Sequence, residues 1–144
     1  MIHKTLGIII ICVLFLLPFN VHSSELKEDN ELQVKCEKQC KEFFEKEYGN
    51  GTLKFPESTD IYSYKNYYNK KMDKCFILLE ANVHPKDPEK SMIIFRKLLD
   101  MTENKIQGIY VSGKAGTSCY LSGTDYKDCS NQKWNDLLKP YMEE

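Results

Sequence analysis

Five cysteines lie beyond residue 23, namely Cys36, Cys40, Cys75, Cys119 and Cys129. Cysteine sulfur can form disulfides, take up soft metal ions or exchange with other thiols. Five is odd, so one chain can close at most two disulfides and must keep one thiol. Cys119 and Cys129 stand ten residues apart around a glycine-containing loop. Their pairing is expected, and closing so short a loop contributes on the order of 2–3 kcal/mol. Cys36 and Cys40 are one helical turn apart, a spacing that fits a disulfide poorly. Cys75 sits on the apolar face of a strand pattern, so it is expected to pair with Cys36 or with Cys40. Proximity in sequence does not choose between them. The remaining thiol, if exposed, could join two chains, which leaves a monomer or a disulfide-linked dimer open. The competing chemistry is a three-thiolate site for zinc or copper from Cys36, Cys40 and Cys75. Cys-x3-Cys is no strong zinc spacing, and no histidine stands nearby to complete a tetrahedron. Structural disulfides are the favoured reading, and neither a Cys-x-x-Cys redox pair nor a Cys-x-x-Cys-His haem motif is present.

Other residue types offer less. His84 is the one histidine beyond the leader, and its place before Pro85 suits a solvated turn better than a general base. The sequence contains no nucleophile elbow, no His-Glu-x-x-His and no phosphate loop. Gly113-Lys114-Ala115-Gly116-Thr117 has the wrong glycine spacing for the last and reads as a strand-to-strand turn. Tyr62, Tyr64, Tyr67 and Tyr68, interleaved with Lys65, Lys70 and Lys71, could form a binding surface. The plainer alternative is a sheet-edge strand with half of them packed. Asn50-Gly51-Thr52 is a glycosylation sequon with meaning only in a eukaryotic secretory pathway. No cofactor and no catalytic residue is expected.

What must position these residues begins with a leader. Leu6 to Phe19 is a run of 14 nearly all apolar residues, preceded by Lys4 and followed by a short polar stretch. This is the order of a secretory signal peptide, and the run falls short of the roughly 18–20 residues of a membrane span. Val21 and Ser23 suit a cut before Ser24. The expected layout is a signal peptide over residues 1–23 and a single small domain over 24–144, secreted or periplasmic, where disulfides persist. Loss of Lys4 leaves 19 basic against 21 acidic residues, a net charge of −2. That balance gives no electrostatic case for nucleic acid, and no basic cluster points to an anionic membrane after cleavage.

Within the domain, Ser24 to Asn30 reads as a frayed start. Leu32, Cys36, Cys40, Phe43, Phe44 and Tyr48 then mark one face of a helix over Glu31 to Tyr48, with Gly49 as its αL cap. Leu53 to Lys71 fits an irregular strand or a turn-rich aromatic segment. Lys74 to His84 alternates as a strand, with Cys75, Ile77, Leu79, Ala81 and Val83 on one face. Met92 to Met101 and Ile106 to Ser112 form a hairpin about Thr102–Lys105, followed by a short strand over Ser118 to Ser122. Gly123 to Cys129 reads as a loop. Ser130 can cap a last helix whose apolar stripe is Trp134, Leu137, Leu138 and Tyr141, ended or kinked by Pro140. The expected fold class is α+β: an antiparallel sheet of about 4–5 strands, packed on one face by an N-terminal helix and a short C-terminal helix.

The stretch from Tyr67 to Leu79, with Tyr-Tyr-Asn-Lys-Lys-Met-Asp-Lys-Cys-Phe at its centre, resembles a segment of small exported bacterial proteins of uncharacterised function. The likeness extends to Cys40–Phe44, to Leu99–Lys105 and to the ending from Trp134. Tyr67 stands where histidine is common there, and Met72-Asp73 where Leu-Asn is common. The resemblance implies export and a similar fold, and carries no activity. Together these features favour a non-catalytic disulfide-stapled domain that contacts a protein or envelope component through its tyrosines. The alternative is a thiol-active or metal-binding protein built on Cys36, Cys40 and Cys75.

Overall fold

The computed structural model describes residues 21–143. The chain divides into two compact units, Met1–Asn30 and Glu31–Glu144. Of the first, the described part is the opening of helix α1 (Val21–Tyr48). The expected signal peptide lies outside the described residues as far as residue 20, as does Cys12. Ser24 to Asn30 is helical rather than frayed. Among the described residues no helix is long and apolar enough to cross a membrane.

The second unit carries seven strands: β1 (Thr52–Lys54), β2 (Ser58–Asn69), β3 (Lys74–Pro85), β4 (Ile93–Asp100), β5 (Lys105–Gly113), β6 (Gly116–Leu121) and β7 (Thr124–Lys127). Helix α2 (Asn131–Met142) follows. All strands are antiparallel, and their spatial order is their chain order. The fold is α+β as expected, but the sheet has seven strands rather than four or five. Two short edge strands account for part of the difference. β1 is three residues long and β7 lies within the stretch read as a loop, both too short for alternation to register. β2 is a regular 12-residue strand paired along its whole length with β3. Its tyrosines gave it no clear apolar alternation.

The turns follow the local chemistry. Gly49 takes φ +58 after α1, and Asp73 takes φ 51 between β2 and β3. Ser130 caps α2 by accepting a hydrogen bond from the Lys133 N–H at 3.1 Å. Pro140 lies inside α2, which continues to Met142. A proline this close to the end forfeits a single intrahelical bond, which is why the helix is neither ended nor replaced there.

Register assigns the two sheet faces. Cys75, Ile77 and Leu79 of β3 and Leu99 of β4 pack with Cys36, Cys40 and Phe44 of α1. Phe76 of β3, Leu98 of β4, Tyr110 of β5 and Cys119 and Leu121 of β6 pack with Trp134 and Leu138 of α2. Adjacent strand residues point to opposite faces, so the helices cover opposite sides of the sheet. This corrects the expectation of both helices on one face. It also explains why β3 is apolar on both faces around Phe76–Leu79.

Gly108 shows how closely α2 is seated. A Cβ there would lie 2.5 Å from Leu121 Cδ1 and 3.1 Å from Trp134 Cη2. Gly108→Ala is therefore expected to destabilise the fold by about 1–3 kcal/mol through overpacking. Urea unfolding with an unchanged slope and a lowered midpoint would show it, and a neutral result would mean that Trp134 shifts freely.

Candidate functional site

The cysteines gather as two separate constructions. On the α2 side, Cys119 bonds Cys129 with Cα atoms 5.6 Å apart, as expected. This ties β6 to the segment leading into α2. On the α1 side, Cys36 bonds Cys75 with Cα atoms 5.4 Å apart, which settles the choice left open above. Cys40 is the free cysteine among the described residues. Its sulfur lies 3.6 Å from that of Cys75. The three sulfurs of Cys36, Cys40 and Cys75 lie within 4.8 Å of one another. The residues are 2 %, 0 % and 5 % exposed.

The helix brings Cys36 and Cys40 to the sheet on successive turns of one face. Cys75 is fixed by a part of the chain that sequence reading did not connect to it. Its N–H donates to Thr102 Oγ1 at 3.0 Å, and its carbonyl accepts from the Met101 N–H at 2.7 Å. The β4–β5 turn thus clamps the cysteine backbone. Gln39 on α1 donates to the Met101 carbonyl at 3.0 Å, joining helix, turn and strand. The turn is itself built around Asp100, which is wholly buried. Its Oδ1 accepts from the N–H groups of Thr102 and Glu103, and Lys74 Nζ lies 2.8 Å from its Oδ2. The turn signal over Thr102–Lys105 was visible in the sequence. Its attachment to the start of β3 was not, because that link spans 27 residues.

Beside the disulfide opens a cleft of about 530 Å³, lined by Leu32, Lys35, Cys36, Tyr68 and Cys75 among others. Cys40 does not line it and is wholly buried beside the bond. Burial pushes the Cys40 thiol up to about 12. At neutral pH its thiolate, the nucleophilic form, is therefore scarce. Geometry adds a second restraint. In-line attack on Cys75 would set the sulfurs of Cys40 and Cys36 farther apart than 4.8 Å, so the three form a triangle rather than a line. At neutral pH Cys40 is a packed thiol rather than an exchanging one.

The raised value makes stability pH-dependent. The folded thiol holds its proton to about 12 while the unfolded thiol releases it near 9.0. The contribution is complete below about 9 and is lost as pH rises towards 12. Cys40→Ala is expected to flatten the alkaline limb of stability measured between these values. An unchanged limb would show that Cys40 ionises freely in the folded chain.

The tyrosines do not share one surface. Tyr62, Tyr64 and Tyr68 lie on the α1 side, partly buried against its core. Tyr62 stacks on Tyr48 at 4.4 Å between ring centres, and Tyr64 packs on Phe44 at 4.6 Å. Tyr67 points to the opposite face by alternation. Burial, with Asp60 beside it, raises the Tyr62 hydroxyl above its ordinary value. These rings seat the helix and are half-buried rather than splayed into solvent. His84 is exposed near the end of β3, in register with Thr59. Lys114 and Ala115 form the turn between β5 and β6, flanked by the paired Gly113 and Gly116. Asn50 of the sequon is exposed, and its Oδ1 accepts from the Thr52 N–H.

On the α1 side, the helix covers the part of the sheet near β2 and β3. By register, Ile93 and Phe95 of β4, Ile109 and Val111 of β5 and Tyr120 of β6 share that face farther along. Ile93 is 40 % exposed. A second cleft, of about 600 Å³, lies there against Ile93, Val111, Ser118 and the Lys114 turn. No family model, curated protein or solved structure matches this chain.

Proposed function

We propose that the chain is a disulfide-stapled, non-catalytic binding domain of a secreted or periplasmic compartment that contacts a protein or envelope component. The observation that supports this reading is the placement of the two bonds. Each joins the sheet to one of its covering elements, Cys36–Cys75 to α1 and Cys119–Cys129 to the lead-in of α2. Such cross-links suit a small domain in an oxidising compartment. They also tie the sheet to both covers while, among the described residues, part of one face has no helix over it. The contact surface in this reading is that apolar part, centred on Ile93, Phe95 and Val111, rather than the tyrosines that seat α1. In this reading no disulfide joins two copies through the leftover thiol, because Cys40 is wholly buried.

The test is a photo-crosslinking residue placed at Val111 and, separately, at exposed Asn135 of α2, in chain expressed for export. A discrete adduct from Val111 alone, lost on introducing Ile93→Glu, is expected. Intact mass should show a chain beginning at Ser24 with one alkylatable thiol after unfolding. Equal adducts from both positions, or none from Val111, would reject the surface. Recovery of the reduced chain from the cytoplasm would reject the compartment.

A further inference from the structure

We infer that the chain binds a small organic monocarboxylate in a cleft on the α2 side of the sheet, with Arg96 as the main donor to the carboxylate and the Trp134 indole N–H as the inner one. The cleft has a volume of about 440 Å³ and is lined from β2, β3, β4 and the first turns of α2. That size is ordinary for a small-molecule site. It lies on the opposite side of the sheet from the contact surface proposed above, so the site and that surface are independent.

Three observations carry the inference. The first is a buried donor with nothing to bond. Trp134 lines the cleft and is wholly buried, and its Nε1–H has no hydrogen-bond partner among the described residues. Buried indole N–H groups are normally paired. The second is a guanidinium held in place with donors to spare. Arg96 Nε donates to Glu80 Oε2 at 2.5 Å, Nη1 donates to Asn131 Oδ1, and the Tyr110 ring centre lies 5.1 Å from Cζ. Nη2 has no partner among the described residues. With its side chain only 16 % exposed, Arg96 is oriented before a ligand arrives and loses little freedom on binding. The third is charge. The charged side chains lining the cleft are Lys65, Glu80 and Arg96, which leaves one positive charge in excess. Lys65 is exposed.

Charge and shape choose the ligand. A single excess positive charge suits a monoanion, and the Glu80 carboxylate repels the second charge of a phosphate dianion. The planar guanidinium matches a carboxylate, which is planar too. Asn131, the first residue of α2, borders the cleft and brings the positive end of the helix dipole to it. Leu78 supplies apolar wall for a short hydrocarbon tail. Glu80 and Arg96 are cross-strand neighbours, which accounts for their own contact but leaves the Trp134 N–H unexplained.

The test uses the full oxidised chain, isotope-labelled on nitrogen. Trp134 is the only tryptophan, so the site reports through a single indole N–H resonance. Titration with butyrate at constant ionic strength should move that resonance along a saturating curve. Butyramide, of the same shape without the charge, should bind roughly tenfold or more weakly, and phosphate should not saturate the site. Arg96→Gln should weaken butyrate binding by roughly tenfold or more, and Lys65→Met several-fold. Glu80→Gln should admit phosphate. Circular dichroism shows which variants keep the fold; if Arg96→Gln does not, exposed Lys65→Met and the butyramide comparison decide. A butyrate response that stays linear in concentration would overturn the site, as would equal curves for butyrate and butyramide. A saturating response to phosphate in the wild type would overturn the choice of a carboxylate. An indole resonance that stays still while those of Arg96 and Asn131 move would remove Trp134 from the site.

Discussion

Cys75→Ala should cost about 4 kcal/mol of stability, and Cys36→Ser much less, although both remove a partner of the same bond. Cys36–Cys75 closes a separation of 39 residues. The chain-entropy model assigns a loop of that size about 4 kcal/mol at 25 °C. Cys75 is the shared partner, and without it the bond cannot form. Without Cys36, however, the Cys40 sulfur stands 3.6 Å from Cys75 and 35 residues from it in sequence. Under oxidising refolding it should take over the bond, and a loop of nearly equal length restores nearly the same constraint. Cys36→Ser/Cys40→Ser should then match Cys75→Ala. Urea unfolding of the oxidised variants, with non-reducing peptide mapping, decides the matter. A Cys36→Ser chain as unstable as Cys75→Ala, with Cys40 and Cys75 both alkylatable, would show that the helix cannot bring Cys40 closer.

The second large effect is expected on the opposite face. Trp134 is wholly buried, its ring 5.7 Å from that of Tyr110 and its edge over Gly108. Trp134→Ala should cost about 3–5 kcal/mol, because the flat neighbourhood of Gly108 cannot collapse into the space left. Small domains hold only about 5–15 kcal/mol in all. Either substitution should therefore lower the urea midpoint severely while a folded baseline survives. Trp134 is the only tryptophan in the chain, so far-ultraviolet circular dichroism must replace fluorescence as the probe. A loss below about 1 kcal/mol would mean that α2 is loosely docked and that Cys119–Cys129 alone keeps it in place.

Much of the site was legible in part. Helical spacing put Cys36 and Cys40 on one face, and alternation put Cys75 with Ile77 and Leu79. Those three cysteines do meet. The tyrosines show the limit of the same reasoning. Their spacing along β2 reveals which share a face but not what lies over it, and α1 turned three of them into packing residues. The clamp on Cys75 was illegible for a different reason. Thr102 was read as a turn residue, and nothing local says that its hydroxyl accepts from Cys75, 27 residues earlier.

The sequence by itself determined the two helices, the central strand β3 and the β4–β5 hairpin, the cysteines available to those elements, and the capped start of α2 at Ser130. These rest on periods of 3.6 and 2 and on side chains that bond their own backbone, all of which act over a few residues. Only the tertiary structure decided that the helices cover opposite faces, that Cys36 rather than Cys40 takes Cys75, and that Cys40 is wholly buried beside the bond. Face is a matter of register carried across the whole sheet. Between β4 and β5 that register shifts at Leu98/Leu99, so alternation counted along the chain loses its place before it reaches Cys119. The disulfide partner depends on how far α1 slides along β3. That is set by Phe44, Tyr62, Tyr64 and the Gln39–Met101 hydrogen bond, contacts between residues far apart in sequence that exist only once the sheet has formed.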